Sequence, residues 1–262
     1  MALLLAKKRV KSDNDPTLLA GAFRVLDYMF TLWQAQRLCD VLVVARDGEV
    51  KAHRIALGSY SEPLTKTFAE YGAGDLVRLD LSDFGAEAVM AILRFVYTTE
   101  LELSCHVVGQ ALSCANQLGM DVVVHVCVDY LRHVSVENAI LHYSVAENNR
   151  LSDLRDQIHD FILDNFAEVA GGKHFLYVPY ERLRSLLCDD SLCVDDELDV
   201  FRAIVRWVDF ARADRLRHAY ALLGCVRFSL IPAEQIVTNV EIVDWIFAEV
   251  GSWKDYLYQA MK

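Results

Sequence analysis

Patterns typical of β-strands are almost confined to one short stretch of this chain, and this restricts the fold more than any other feature. Residues 40–45 are apolar and β-branched, which predicts a buried strand. An Asp47-Gly48 turn and a returning segment at 50–53 complete a predicted hairpin. A third short strand is predicted over residues 76–81. With only 12 Gly and 4 Pro in 262 residues, a turn-dense all-β fold is disfavoured.

Helical periodicity covers most of the remaining chain. An amphipathic helix with an Asp-Pro start is predicted over residues 13–38, and residues 100–103 form either a short strand or an extended link. Further helices are predicted over 54–71, from Ala86 to Tyr97, and over 107–118, 122–131, 136–147, 151–168, 179–187, 197–213, 215–224, 232–239 and 241–259. The sequence therefore predicts an α+β domain over residues 1–133, with a small sheet flanked by helices, and an all-α domain over 134–262.

Charge and composition point towards contacts with other proteins. The chain has 37 acidic residues against 26 Lys and Arg, a net charge of −11, which disfavours broad nucleic-acid binding. Its 54% hydrophobic content is high for such a charged chain and fits burial against protein partners. No apolar run approaches the length of a membrane span, and the charges that follow the short apolar N-terminus argue against secretion. We expect a protein of the cytoplasm or nucleus that binds neither membrane nor nucleic acid.

Motifs for catalysis or cofactor binding are missing from the sequence. It contains no HExxH, GxGxxG, Walker A or GxSxG pattern, so we expect no metal, no cofactor and no enzymatic activity. The seven cysteines are odd in number and lack CxxC spacing, which predicts reduced and mostly buried thiols. An acidic stretch at 189–199 does not follow the EF-hand pattern, and Asp195 or Asp196 is better interpreted as a helix N-cap.

One polar group in the hairpin is singled out as a candidate site. Asp40 starts the first strand and His53-Arg54 ends the second, so the hairpin can bring a carboxylate close to an imidazole or a guanidinium. A partly buried Asp–His or Asp–Arg pair is expected. It would serve either as a polar pocket at a dimer surface or as a structural pair that fixes the hairpin on its helix.

The order of several short motifs resembles the BTB–BACK proteins of the kelch-like family. Each motif is weak alone, but together they run over nearly the whole chain: Cys39-Asp-Val-Leu42, Ala52-His-Arg54, Val77-Arg-Leu79, Phe95-Val-Tyr-Thr98, Val136-Glu-Asn-Ala-Ile140, Ala203-Ile-x-x-Trp207-Val208 and Val226-Arg-Phe228. The resemblance implies a BTB/POZ dimerisation domain at 1–133 and a helical three-box and BACK domain at 134–262. Nothing in the chain resembles the blades of the β-propeller that most kelch-like relatives carry.

The resemblance also implies partners. A homodimer is expected, with an interface on the apolar face of the first helix that includes Leu19, Phe23, Leu26 and Phe30. On a helix taken alone, these residues would be interpreted as core. Many relatives bind cullin-3 and act as substrate adaptors of a ubiquitin ligase. The resemblance thus implies a homodimeric adaptor between the cullin-3 N-terminal domain and a protein substrate that the sequence does not identify.

Relatives contact the cullin through a hydrophobic-x-Glu motif, for which Phe68-Ala69-Glu70 is the candidate, with Tyr143 as a further contact. In a second alignment, Phe68 is the buried aromatic residue that precedes the motif, and Gly72-Ala-Gly74 stands in the motif's place. The alternative function is therefore an oligomerisation scaffold for cytoskeletal or transcriptional partners that does not bind a cullin.

Overall fold

A computed structural model describes residues 16–240, 243, 245 and 246 of the chain. The chain divides into two compact units between His133 and Val134. The first unit contains a three-stranded sheet with helices, and the described part of the second unit is helical. The predicted helix over 241–259 lies almost entirely outside the described residues.

The sheet of the first unit has the strand order β2-β1-β3. Its strands are β1 (Val41–Ala45), β2 (Gly48–Ala52) and β3 (Val77–Leu81). The pair β1–β2 is antiparallel and the pair β1–β3 is parallel, so β1 is the central strand. This position explains why β1 is almost continuously apolar, because it is buried far more than β2. The three predicted strands are thus confirmed, and residues 100–103 belong to neither a strand nor a helix.

The hairpin turn lies one residue earlier than the sequence predicts. Ala45 pairs with Gly48, so the two-residue loop is Arg46-Asp47 and Gly48 already belongs to β2. Neither loop residue has a positive φ. A tertiary contact fixes this turn, since the Asp47 Oδ1 atom accepts a hydrogen bond of 2.6 Å from the backbone N–H of Ala86. That N–H stands at the start of a helix, where intrahelical acceptors are lacking.

The helices of the first unit follow the predicted periodicity with two differences. They are α1 (Pro16–Gln34), α2 (Arg54–Tyr60), α3 (Glu62–Phe68), α4 (Ala86–Thr98), α5 (Val108–Leu118) and α6 (Asp121–Arg132). The predicted helix over 13–38 ends at Gln34, because Gln36 and Leu38 adopt left-handed backbone angles with φ of +51° and +57°.

The single helix predicted over 54–71 is two helices separated by Ser61. This residue has an extended backbone, with φ −140° and ψ 114°, and its Oγ accepts a hydrogen bond of 3.0 Å from the Leu64 N–H. Ser61 therefore serves as the N-cap of α3, and Pro63 in the first turn suits the same start. The side chain of Ser61 also donates to the carbonyl of Leu118, which joins α3 to the end of α5.

The second unit contains paired helices with short connections. They are α7 (Ala139–Asn148), α8 (Ser152–Asp164), α9 (Phe166–Gly171), α10 (Tyr180–Leu187), α11 (Glu197–Phe210), α12 (Arg212–Leu223) and α13 (Ala233–Gln235), with 3₁₀ turns at His174–Tyr177 and Phe228–Leu230 and a π-helical turn at Ile236–Val240. The helix predicted over 151–168 breaks at Asn165, and the one over 232–239 is a helical turn that continues as the π-helical segment. The predicted cap is confirmed, since Asp196 Oδ1 accepts from the Leu198 N–H at 2.9 Å.

A half-buried arginine of the second unit satisfies backbone carbonyls. The Arg215 guanidinium lies 4.1 Å from the centre of the Trp207 ring and donates to the carbonyls of Trp207 and Leu176, each at 2.8 Å. Trp207 Nε1 donates to the Val178 carbonyl at 2.8 Å. These bonds join α11 and α12 to the segment before α10, and burial lowers the pKa of Arg215.

The cysteines are free but less buried than the sequence predicts. Cys114 and Cys127 are buried, and burial raises the pKa of each thiol to about 12. Cys188 and Cys193 are exposed, and the remaining three are half-buried. The expectation of mostly buried thiols is therefore wrong, because both exposed cysteines lie in the connection between α10 and α11.

Gly119 ends α5 in a conformation that only glycine adopts easily. Its φ is +65°, and a Cβ atom at this position would lie 2.8 Å from Pro63 Cγ. We expect Gly119→Ala to lower the free energy of unfolding by about 2 kcal/mol, because left-handed backbone strain and the contact with α3 add together. Urea unfolding measures the change. Gly48→Ala is the matched control, since a Cβ atom added at Gly48 would have no heavy atom within 4 Å. Equal stabilities of the two variants would contradict this account of Gly119.

Candidate functional site

The polar group predicted in the hairpin is formed, with Arg54 and not His53 as the partner of Asp40. Asp40 Oδ1 accepts a hydrogen bond of 2.8 Å from the backbone N–H of Arg54, and Asp40 Oδ2 lies 3.5 Å from Arg54 Nε. Among the hydrogen bonds and ion pairs of the described residues, none joins Asp40 to His53. The carboxylate thus holds the first turn of α2 against the start of β1, as expected of a structural pair.

Arg54 extends this contact to the loop before β3. Its Nη1 donates to the Gly72 carbonyl at 3.2 Å and approaches the Tyr71 carbonyl at 3.5 Å, and its Nη2 donates to the Asp75 carbonyl. Asp75 Oδ2 in turn accepts from the Gly72 N–H at 2.8 Å, and Gly74 has φ +96°. The loop at 71–75 is therefore held by one planar guanidinium, whose several N–H groups can serve several carbonyls at once.

His53 is buried and belongs to a separate hydrogen-bond network. Its Nε2 lies 2.9 Å from the Arg37 carbonyl, which can only accept, so Nε2 carries the proton. Nδ1 then accepts from the Tyr97 hydroxyl at 2.7 Å, and the Tyr97 oxygen accepts from the His53 backbone N–H at 3.0 Å. All polar atoms of this pair are satisfied by protein groups. Burial raises the pKa of Tyr97, so its hydroxyl remains a donor at neutral pH.

Tyr97 also fixes the first helix. Its ring stacks on Trp33 with a centroid separation of 4.7 Å and an interplanar angle of 10°, and Trp33 Nε1 donates to the Lys51 carbonyl at 3.0 Å. The C-terminal end of α1 is therefore packed on β2 and α4 through a buried aromatic pair.

We expect Tyr97→Phe to lower the free energy of unfolding by about 2–4 kcal/mol, because two polar atoms of His53 lose their partner inside the core. The stacked ring is retained in this variant, so the loss of stability measures the contribution of the hydroxyl group. Urea unfolding followed by circular dichroism gives the value. Tyr177→Phe, at a tyrosine with 69% exposure, is the control. Equal midpoints for the wild-type protein and the Tyr97 variant would show that the network does not contribute.

The upstream part of α1 exposes large apolar side chains. Phe23 is 61% exposed, and Val25 and Tyr28 are each 63% exposed, whereas Leu26 and Phe30 are half-buried. Leu19 belongs to α1, but its side chain lies outside the described part of the chain. An apolar surface of this kind marks a contact site in a protein that is otherwise strongly charged. Phe23, Leu26 and Phe30 are three or four residues apart and share one side of the helix, whereas Val25 and Tyr28 lie on another side. We call the surface formed by Phe23, Leu26 and Phe30 the α1 face.

The candidate Phe68-x-Glu70 motif is split by the fold. Phe68 is only 7% exposed and lies in the core, whereas Glu70 is exposed. This burial favours the second alignment, in which Phe68 is a buried aromatic and Gly72-Ala-Gly74 occupies the motif's place. The apolar residues that do reach the surface here are Tyr71 and Leu76, 44% and 56% exposed. The only feature of the sequence that could have indicated Tyr71 and Leu76 is their position on either side of the Gly-rich loop, Gly72-Ala-Gly74.

Tyr143 lies in a polar and aromatic cluster of the second unit. It is half-buried on α7, with the Arg182 guanidinium 4.7 Å from its ring centre and the His159 ring 6.0 Å away. Arg182 also donates to Ser144 Oγ at 2.8 Å and pairs with Glu147. Burial lowers the pKa of Arg182. The Tyr143 ring is thus held in place by α10, and its remaining surface is open to a partner.

Metal sites and membrane-spanning helices are two further features that the described residues lack. Within that part of the chain, no three or more His, Cys, Asp or Glu side chains are arranged so that they could hold a metal ion. None of its helices is both long and apolar enough to cross a membrane.

Comparisons with known proteins match each unit to a family model. Residues 29–135 match the BTB/POZ domain, and residues 139–241 match BACK, described as BTB And C-terminal Kelch. The three-stranded sheet with its helices and the helical region that follows fit this order. The fold and the matches define the class of protein as a BTB domain followed by a BACK region.

The chain belongs to the BTB–BACK proteins that are related to the kelch-like proteins. It is 28% identical to human Kelch-like protein 3 over 250 residues, which cover 95% of this chain and 42% of that protein. Zebrafish Kelch-like protein 31 is 30% identical over 207 residues, covering 79% of this chain and 32% of that protein. The chain therefore spans less than half the length of these relatives.

A solved structure, the BTB domain of zebrafish PATZ1, is also similar to this chain. It aligns with a TM-score of 0.40 and 18% identity, and the alignment covers 48% of this chain and all of that domain.

Proposed function

We propose that this chain is a homodimeric, non-enzymatic adaptor that links a cullin-3 ubiquitin ligase to a protein substrate. The α1 face is the observation that carries the proposal, because an exposed phenylalanine and two half-buried large apolar side chains share one side of a helix that is anchored to the BTB unit. The order of the two domains and the kelch-like relatives support the adaptor part.

The α1 face suits a second copy of the same chain. Fully burying an exposed large apolar side chain is favourable by about 1.5–3 kcal/mol, so Phe23 from each protomer, with the uncovered parts of Leu26 and Phe30, makes a substantial contribution. In a two-fold dimer each copy presents the same surface, and a helix that packs on its symmetry mate needs only one such surface. The half-buried Leu26 and Phe30 would become more buried on dimerisation, in accordance with the interface predicted from the sequence.

We expect Phe23→Glu to convert the dimer into a monomer at micromolar concentration, because each protomer would bury an unpaired carboxylate at the interface. Sedimentation equilibrium distinguishes the 29.7 kDa chain from a species of twice that mass. Tyr177→Glu is the matched control, since Tyr177 is an aromatic residue of the second unit with 69% exposure. A wild-type protein that sediments as a monomer would contradict the dimer.

Two cullin contacts are proposed, each within one unit: the exposed residues around the loop at 71–75 in the first unit, and Tyr143 in the second unit. Glu70 offers a carboxylate and Tyr71 an exposed ring, and Arg54 holds the loop backbone beside them. In this proposal Phe68 supports the loop from inside, and a substitution there would disturb folding as well as binding. Glu70 and Tyr71 are therefore the better residues to test.

We expect the wild-type chain to bind the cullin-3 N-terminal domain with submicromolar affinity and one cullin per protomer. Glu70→Ala with Tyr71→Ala, or Tyr143→Ala, should weaken binding at least about tenfold, as expected of interface hot spots. Glu87→Ala, at an exposed carboxylate on α4, is the control. Isothermal titration calorimetry gives the affinity, and sedimentation shows that each variant remains a dimer.

A second function is favoured by the burial of Phe68 and by the Gly72–Gly74 loop. If the hydrophobic-x-Glu contact is lost, the same body would be an oligomerisation scaffold for cytoskeletal or transcriptional partners. A wild-type dimer that gives no heat with the cullin domain would support this scaffold and contradict the adaptor.

A further inference from the structure

Two cysteines of the second unit lie unusually close together. The Sγ atoms of Cys188 and Cys225 are 2.7 Å apart, although the residues are 37 positions apart in the sequence. Both are free thiols. Their separation in the sequence matches no cysteine motif, so the pair can be recognised only from the packing of the helices.

The distance between the two Sγ atoms is determined by the ends of two helices that pack against each other. Cys188 follows α10 directly, and its backbone N–H bonds to the Arg184 carbonyl at 3.0 Å. Cys225 follows α12 by two residues, and its N–H bonds to the Leu222 carbonyl at 3.0 Å. α10 and α12 pack against each other, with Leu187 and Leu223 buried next to these ends. The core therefore holds both thiols in position.

The two thiols differ in their access to solvent. Cys188 is exposed, whereas Cys225 is half-buried. Burial raises the pKa of Cys225 to about 12, and the nearby Arg184 opposes this only in part. Cys225 is thus a protonated thiol at neutral pH, and Cys188 is the sulfur that an oxidant in solution can reach first.

We propose that Cys188 and Cys225 form a redox modification site, which a peroxide converts into an intramolecular disulfide. The Cys188 thiol loses its proton to the solvent, and the thiolate attacks one oxygen of hydrogen peroxide. The O–O bond breaks, a sulfenic acid forms, and the leaving hydroxide takes a proton back from the solvent as one water. Cys225 Sγ then attacks Cys188 Sγ. The S–S bond forms as the S–O bond breaks, and the leaving hydroxide takes the Cys225 proton as a second water. Both sulfurs are oxidised by one electron each, and the peroxide is reduced.

The geometry requires little movement for this step. A disulfide bond is about 2.05 Å long, so the sulfurs must approach by less than about 1 Å. The bond would join the end of α10 to the segment after α12, and it would close a loop that contains all of α11. Oxidation is thereby expected to stiffen the second unit without a change of fold.

The test is oxidation of the purified full chain by hydrogen peroxide, followed by alkylation and peptide mapping. We expect a Cys188–Cys225 cross-linked peptide and the loss of two of the seven titratable thiols. Cys188→Ser should abolish the cross-link, and because Cys188 is exposed this variant is expected to fold. Cys225→Ala should do the same. Cys193→Ser, which removes the other exposed thiol of this unit, is the matched control and should retain it.

Thermal unfolding gives a second measurement. We expect the oxidised wild-type chain and the oxidised Cys193→Ser variant to have a Tm about 5–10 °C above their reduced forms, and the Cys188→Ser variant to show no such difference. Recovery of Cys188 and Cys225 as alkylated thiols after peroxide treatment would overturn the proposal. So would a cross-link of Cys188 to Cys193.

Discussion

The buried hydroxyl of Tyr97 is the contact on which much of the first unit depends. It accepts from the His53 backbone and donates to the His53 ring, and the tyrosine ring stacks on Trp33. One side chain of α4 therefore connects the end of the hairpin to α1. Among the described side chains of α1, only Leu32 and Trp33 are buried, and both lie near its C-terminal end. A surface proposed for dimerisation is thus positioned by a polar contact in the core.

Arginines that bind backbone carbonyls recur in both units, although the chain is strongly acidic. Arg54 holds the loop at 71–75, Arg215 joins two segments of the second unit, and Arg206 donates to the Ala170 carbonyl at the end of α9. Carbonyls at helix ends and in loops lack partners within their own elements, and a guanidinium offers several donors in one plane. Arg54 also pairs with Asp40, but the bonds of these arginines to the carbonyls use neutral acceptors, so changes in the charge of the acidic surface affect those bonds little.

The sequence predicts the elements of this fold better than their ends. The apolar run of β1 and the helical periodicity are local signals, and the structure confirms them. The turn at Arg46-Asp47 and the break at Ser61 depend on bonds to Ala86 and Leu118, which are distant in the sequence. The contact between Asp40 and Arg54 can be predicted from the hairpin. The hydrogen bonds from Arg54 to the carbonyls of the loop at 71–75 cannot. The burial of Phe68 and the proximity of Cys188 to Cys225 also required the tertiary structure.

The Arg46-Asp47 turn has a consequence for engineering this protein. A two-residue hairpin loop is ordinarily a convenient place to insert an epitope or a fluorescent label, because exposed loop tips tolerate added residues. Here the Asp47 carboxylate completes the N-terminus of α4, and the Arg46 N–H bonds to the Phe84 carbonyl at 2.9 Å. An insertion at this tip would remove the cap from the helix that carries Tyr97. Labels are therefore better placed at positions such as the exposed Asp190 and Ser191, between α10 and α11, which precede the N-cap Asp196 and cap no helix themselves.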